Sequence, residues 1–224
     1  MTQLHHLNLH GMRFLQDLSE QLGMLCNLMH LVLTGCYFLT HLPDSLSSLI
    51  NLTLLWVDQA PVLESLPDGI GCLQQLKTLH LRGCGQLAAL PDSASRLSNL
   101  SMLLLDCDRA VTPVPCAVPS SLDSLAALTL YARVSFPDST SHLNSLSRLA
   151  LCNRTGMAAL PDSLINLPAL HTLTLLDCNE LVTLPASFGQ LSSLHALTVE
   201  KCGALSSIPP SLGELQHLSR LALR

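Results

Sequence analysis

Leucines in this chain recur at a fixed interval, and that interval constrains the fold more than any other feature. Leu4, Leu28, Leu52, Leu76 and Leu100 follow one another at a constant step of 24. The step becomes 25 at Leu125 and 21 at Leu146, then returns to 24 for Leu170, Leu194 and Leu218. A period of this length marks a repeated supersecondary unit that buries its apolar face only against its neighbours. The block template is L-x-x-L-x-L-x-x-C-x-x-L-x-x-L-P-x-x-L-x-x-L-x-x. It is followed throughout by residues 170–193, LHTLTLLDCNELVTLPASFGQLSS, with Phe188 in place of one leucine. About nine such blocks, starting at Leu4, organise residues 1–224 as a single domain, with irregular repeats at 100–145.

Each part of the template has a physical reading. The opening L-x-x-L-x-L alternates with period two, as in a short strand with two leucines facing inward. Stacked blocks place these strands side by side in a parallel sheet, about 4.8 Å apart. The Pro-led segment, LPDSLSSLIN at 42–51, spaces leucines three apart behind a helix-starting proline. That pattern predicts a short helix or 3₁₀ turn on the opposite face. Cysteine at the ninth position (Cys36, Cys84, Cys178, Cys202) marks where the chain leaves the strand. Its thiol is expected to be buried as a weak donor to loop carbonyls.

Composition removes several function classes. The 56 leucines in the chain exclude disorder. Charged residues make up only 12% of the chain, too few for a coiled coil. No apolar run approaches the roughly 20 residues of a membrane span, and no Lys/Arg cluster is present to track phosphates, so neither a membrane nor a nucleic-acid partner is expected. The nine cysteines are an odd number, which suits free thiols in a reducing compartment. The start MTQLHHLNLH has no signal-peptide pattern. The three N-x-S/T triplets, at Asn51, Asn99 and Asn153, are read as chance matches. A cytoplasmic location follows as the expectation.

No catalytic motif or nucleophile–base spacing is found, so no enzyme and no cofactor are expected. His6, His10 and His30 share the outward sheet face, but no cysteine or carboxylate joins them in register. They are read as surface histidines, and no metal is expected. Cys152 follows Leu151 on the outward face and is the first thiol to test for reactivity.

Outward strand positions can be read across blocks as rows. One row runs Asn8, Val32, Trp56, His80, Leu104, Thr129, Ala150. The next runs His10, Thr34, Asp58, Arg82, Asp106, Tyr131, Cys152, and a third runs His6, His30, Leu54, Thr78, Met102, Ala127, Arg148. Blocks three to six stand out: Trp56 is the single tryptophan, Leu54, Met102 and Leu104 lie near it, and Asp58, Arg82 and Asp106 alternate in sign before Tyr131. An aromatic and aliphatic patch edged by charge has the composition of an interaction hot spot. The expected partner-binding residues are therefore Leu54, Trp56, Asp58, His80, Arg82, Met102, Leu104, Asp106 and Tyr131. The segment VTPVPCAVPSS at 111–121 and the loss of three residues near 133–136 are expected to change local curvature, as a hinge in the superhelix, as a ligand-facing irregularity, or as drift in a tolerant loop.

The template resembles the leucine-rich repeat. The resemblance implies an α/β right-handed solenoid, or horseshoe, with a parallel sheet on the concave face and short helices or 3₁₀ turns on the convex face. Cysteine at the ninth place and L-P in the descending segment resemble the intracellular repeats of plant disease-resistance proteins of the nucleotide-binding leucine-rich repeat type. That likeness implies a regulatory or sensing module binding a protein partner on its concave face. Two alternatives stand beside it: a Ras-pathway-like signalling scaffold, and the substrate-recognition repeats of a larger ubiquitin ligase. The chain has no G-x-x-x-x-G-K-S/T nucleotide-binding loop. It ends at Leu223-Arg224 inside a strand pattern, so terminal caps are expected to be missing, which leaves room for additional domains of a larger chain.

Overall fold

The computed structural model describes residues 3–106, 118–119, 122–131, 134, 136, 142–153 and 156–224. The Pro-rich segment at 111–121 and the shortened stretch near 133–136 fall largely outside these residues. Ten short strands form one parallel sheet in chain order: β1 (His6–Asn8), β2 (His30–Thr34), β3 (Leu54–Asp58), β4 (Thr78–Arg82), β5 (Met102–Leu105), β6 (Ala127–Tyr131), β7 (Arg148–Cys152), β8 (Thr172–Leu176), β9 (Ala196–Glu200) and β10 (Arg220–Leu223). Each of these strands pairs with its neighbours in sequence, as a solenoid of one-block steps requires.

Period-two alternation explains which side of each strand is buried. Leu31 and Leu33 of β2, Leu55 and Val57 of β3, and Leu173 and Leu175 of β8 have no accessible surface, while the residues between them lie outward. On the other face, the Pro-led segments fold as 3₁₀ turns, among them Asp44–Ser48, Asp68–Cys72, Asp92–Arg96 and Asp162–Asn166. The proline stands at the N-cap, just before the first turn residue: Pro43 has φ −66° and ψ 147°, and its carbonyl accepts from Leu46 N. A 3₁₀ turn has about three residues per turn, so side chains three apart fall on one line. Leu46, Leu49 and Leu52 are all buried. Of these only Leu46 lies inside the turn; Leu49 is its C-cap and Leu52 follows it.

Blocks are joined by more than apolar contact. The Met29 carbonyl accepts from the backbone N–H groups of Thr53 and Leu54, at 2.8 and 3.1 Å, and from the Thr53 hydroxyl at 3.1 Å. The Lys77 carbonyl is engaged in the same way by Ser101 and Met102. At the other end of the strands, buried thiols donate to the preceding block: Cys36 Sγ to the Leu9 carbonyl at 3.6 Å and Cys178 Sγ to the Leu151 carbonyl at 3.5 Å. Cysteine therefore satisfies a strand-end carbonyl of that block at little cost in polarity. Burial pushes the Cys36 thiol above its ordinary pKa, which keeps it protonated and able to donate.

Among the described residues, the chain turns out of β2, β3, β4, β7, β8 and β9 through a left-handed residue. Gly35 and Gly83 take this place in early blocks with φ of 72° and 62°, whereas Gln59, Asp177 and Lys201 hold it with φ of 58°, 54° and 54°. A side chain in that region costs about 1–2 kcal/mol. Lys201 offsets little of this, since its contact to Asp177, 3.9 Å long, is between exposed groups. We expect Lys201→Gly to raise the unfolding free energy by about 0.5–1 kcal/mol, after allowance for glycine's freedom in the unfolded chain. The β-branched Lys201→Val should lower it, and urea denaturation measures both.

Candidate functional site

Register places the expected patch on one face. In the sheet His30, Leu54, Thr78, Met102 and Ala127 are successive partners, as are Val32, Trp56, His80, Leu104 and Thr129. Thr34, Asp58 and Arg82 continue a third row, and Asp106 directly follows β5. Leu54, Trp56, Asp58, His80, Arg82, Met102, Leu104, Asp106 and Tyr131 therefore share the outward face of β3–β6 and its margin. The register reproduces the rows through Leu54 and Trp56 across β3–β6, and the row through Asp58 as far as Arg82.

Two ring contacts organise this face. Trp56 stacks on His80 with ring centroids 3.6 Å apart and planes 8° from parallel. His80 is thereby only 7% exposed, and its Nε2 is buried with no hydrogen-bond partner among the described residues. Outward direction on the strand did not bring exposure, because the neighbouring indole covers the imidazole. Desolvation by this burial lowers the His80 pKa, with Asp58 pulling it up and Arg82 adding to the fall. Further along, the exposed Arg82 guanidinium lies over the Tyr131 ring, with Cζ 5.9 Å from the centroid. This cation–π contact reaches across the intervening block of Asp106. Burial is also the main reason that Tyr131 titrates above its ordinary value.

Asp58 and Arg82 do not consume one another. Among the described residues, ion pairs within 4.0 Å are His41–Glu64, His142–Asp123, Lys201–Asp177 and Arg224–Glu200, and Asp58 and Arg82 form none together. Asp106 Oδ2 accepts from Gly83 N at 3.2 Å, which holds that carboxylate at the strand end. Met102 is 43% exposed, and Leu54, Trp56 and Leu104 are half-buried. The result is an apolar lane beside a row of alternating charge.

One expectation fails. Cys152 is 5% exposed and buried, although its place after Leu151 faces outward. Its register partners are Tyr131 and Leu176, so two large side chains flank the thiol. His6 and His30 do meet, edge to face with centroids 4.3 Å apart. Three further aromatic contacts went unread in the sequence. Phe14, 83% exposed, stacks on Phe38 at 6.0 Å, and His171, His195 and His217 stack in series at 5.0 and 5.6 Å. Phe14 and Phe38 occupy the same template position in adjacent blocks, as do His171 and His195. That equivalence was the available signal, but attention to the strand rows alone passes over it.

The His80 stack predicts a pH response. Because burial lowers the folded-state pKa, the unfolded chain binds a proton more readily as pH falls below the ordinary histidine value. Stability is therefore retained above that value and lost below it. We expect His80→Phe, which keeps a ring against Trp56, to lose less of its urea midpoint than wild type between about pH 7 and pH 5. Fluorescence of Trp56, the single tryptophan, should titrate with a midpoint below the ordinary histidine value; a midpoint at or above it contradicts the burial argument.

Comparison with known proteins places this geometry. Residues 27–49 match the Leucine Rich Repeat family. No curated protein sequence matches the chain. Among solved structures, the leucine-rich repeat domain of the type III effector XopL is 26% identical with a TM-score of 0.77, over 97% of this chain and 76% of that one. A leucine-rich repeat protein of Leptospira interrogans, LIC12759, is 27% identical with a TM-score of 0.58, over 93% of this chain and 64% of that one. An internalin of Listeria monocytogenes, InlF, shares the fold at 17% identity and a TM-score of 0.54, over 98% of this chain and 67% of that one. The chain carries a leucine-rich repeat at residues 27–49 and, over its length, has the leucine-rich-repeat solenoid fold.

Proposed function

We propose that this chain is a non-catalytic protein-interaction module that binds a protein partner on the sheet face of β3–β6. The observation that carries the reading is the Trp56–His80 stack beside Asp58 and Arg82, which are register partners of opposite charge. Tryptophan and arginine dominate interface energetics when they sit together in a partly desolvated setting. On the later strands the central row offers only Ala150, Thr174 and Thr198, with Arg148, Leu176 and Glu200 at its margins.

As the biological setting, we favour sensor or regulatory repeats of a plant-type intracellular immune receptor, acting in the cytoplasm. Support comes from cysteine at the ninth template position and from buried thiols that serve as hydrogen-bond donors, a use that suits a reducing compartment. A second reading takes the chain as recognition repeats of a larger effector-type protein. The likeness to the XopL repeat domain over 97% of the chain favours it, and the substrate-recognition repeats of a ubiquitin ligase are its enzymatic form. The neighbouring coding sequence separates the readings: a nucleotide-binding loop accompanies the first, and a catalytic cysteine domain accompanies the ligase.

The binding surface is tested with variants of the immobilised chain and native extract. The double variant Trp56→Ala, Arg82→Glu should weaken capture of a partner by about 30-fold or more, the effect of losing one hot spot of about 2 kcal/mol. Thr174→Ala on β8 should leave capture unchanged. Capture that ignores the double variant removes β3–β6 as the site.

A further inference from the structure

We propose that the partner presents an amphipathic α-helix laid along the solenoid axis, across β3–β5, with a basic–acidic–basic row facing Asp58, Arg82 and Asp106. The inference rests on the sheet-face reading above and specifies the ligand class of that site.

The spacing of the site selects the helix. Asp58 on β3 is in register with Arg82 on β4, and Asp106 directly follows the end of β5, so the three carboxylate and guanidinium groups stand at successive strand positions, about 4.8 Å apart. A helix rises about 5.4 Å per turn, so residues at i, i+3 or i+4, and i+7 drift by only about 1 Å from these three positions. In an extended segment, side chains on one face recur at about 6.7 Å, which accumulates a mismatch of about 4 Å over the same two steps. Strand addition is also closed to a partner here. β3, β4 and β5 are each paired on both sides within the sheet, so no free edge is offered.

The apolar lane carries the same spacing. Leu54 and Trp56 stand on β3, Met102 and Leu104 stand on β5, and Thr78 with the covered His80 lies between. The two apolar anchors are thus two strands apart, close to the i, i+7 separation of a helix stripe. Asp58 follows Trp56 by two positions along its strand, and Asp106 follows Leu104 likewise. A helix seated on the lane therefore brings its flank over the charged row. The signs on that row fix the signs on the helix: cation at Asp58, anion at Arg82, cation at Asp106. The order is symmetric, so either helix direction satisfies it.

The probes are two lactam-stapled helical peptides of equal length and staple, each with leucines at i, i+3, i+4 and i+7. One flank reads Lys–Glu–Lys at turn spacing, the other Glu–Lys–Glu, and binding is followed by fluorescence anisotropy. The Lys–Glu–Lys helix should bind about tenfold or more tighter, because like charges face each other in the swapped peptide. The triple variant Asp58→Lys, Arg82→Glu, Asp106→Lys should reverse that preference, and circular dichroism checks that it remains folded. A linear Lys–Glu–Lys peptide with a central proline should lose binding. Equal affinity for the two helices, binding of neither, or full binding of the proline peptide overturns the proposal. If neither helix binds while natural-partner capture still needs Trp56 and Arg82, the helix inference fails and the sheet-face site stands. If capture ignores those residues, the site itself fails.

Discussion

The coupling of each block to the next is the constraint on which everything else in this molecule depends. One block has no closed core of its own, because its inward leucines pack with those of its neighbours in a single cluster. Backbone carbonyls such as those of Met29 and Lys77 take donors from the following block. The buried thiols of Cys36 and Cys178 donate back to the preceding one. Stability in such a ladder is approximately a sum of nearest-neighbour terms, and register is transmitted without slippage from one strand to the next. That transmission makes possible a surface built from residues far apart in the chain.

Much of this was legible in the sequence because a period of 24 converts chain position into spatial position. The rows through Trp56, Asp58 and Leu54 follow from arithmetic on the repeat, and the observed register reproduces them. The alternation of leucines likewise identifies Leu55, Leu79 and Leu103 as core. What arithmetic cannot supply is the conformation of a side chain relative to its lateral neighbour. His80 points outward like its row, but the Trp56 ring turns onto it and removes it from water. Cys152 is likewise buried, flanked by its register partners Tyr131 and Leu176. Exposure on a parallel sheet is thus decided by pairs of side chains, not by strand direction alone. The Pro-led segments were compatible with a short helix or a 3₁₀ turn, and they fold as 3₁₀ turns of five residues.

The sparse charge of the chain gives the β3–β6 face its meaning. With charged residues at 12% and aromatics at 3% of the chain, much of the sheet surface is left to threonine and alanine. Against that background a stacked Trp56–His80 pair and a guanidinium over Tyr131 concentrate both apolar area and charge in a few strands. The exposed Phe14–Phe38 stack lies in the loops beyond the strands and has no such charged row arranged with it in register.

Hydroxyl-radical footprinting of the chain with and without its captured partner tests the central claim most directly, because tryptophan, methionine and tyrosine side chains react strongly. The account predicts that Trp56, Met102 and Tyr131 lose reactivity together in the complex. Met24, exposed on the opposite face at the end of its 3₁₀ turn, should react as before. Protection of Met24 and the Phe14–Phe38 loops, with Trp56 and Met102 unchanged, would contradict it.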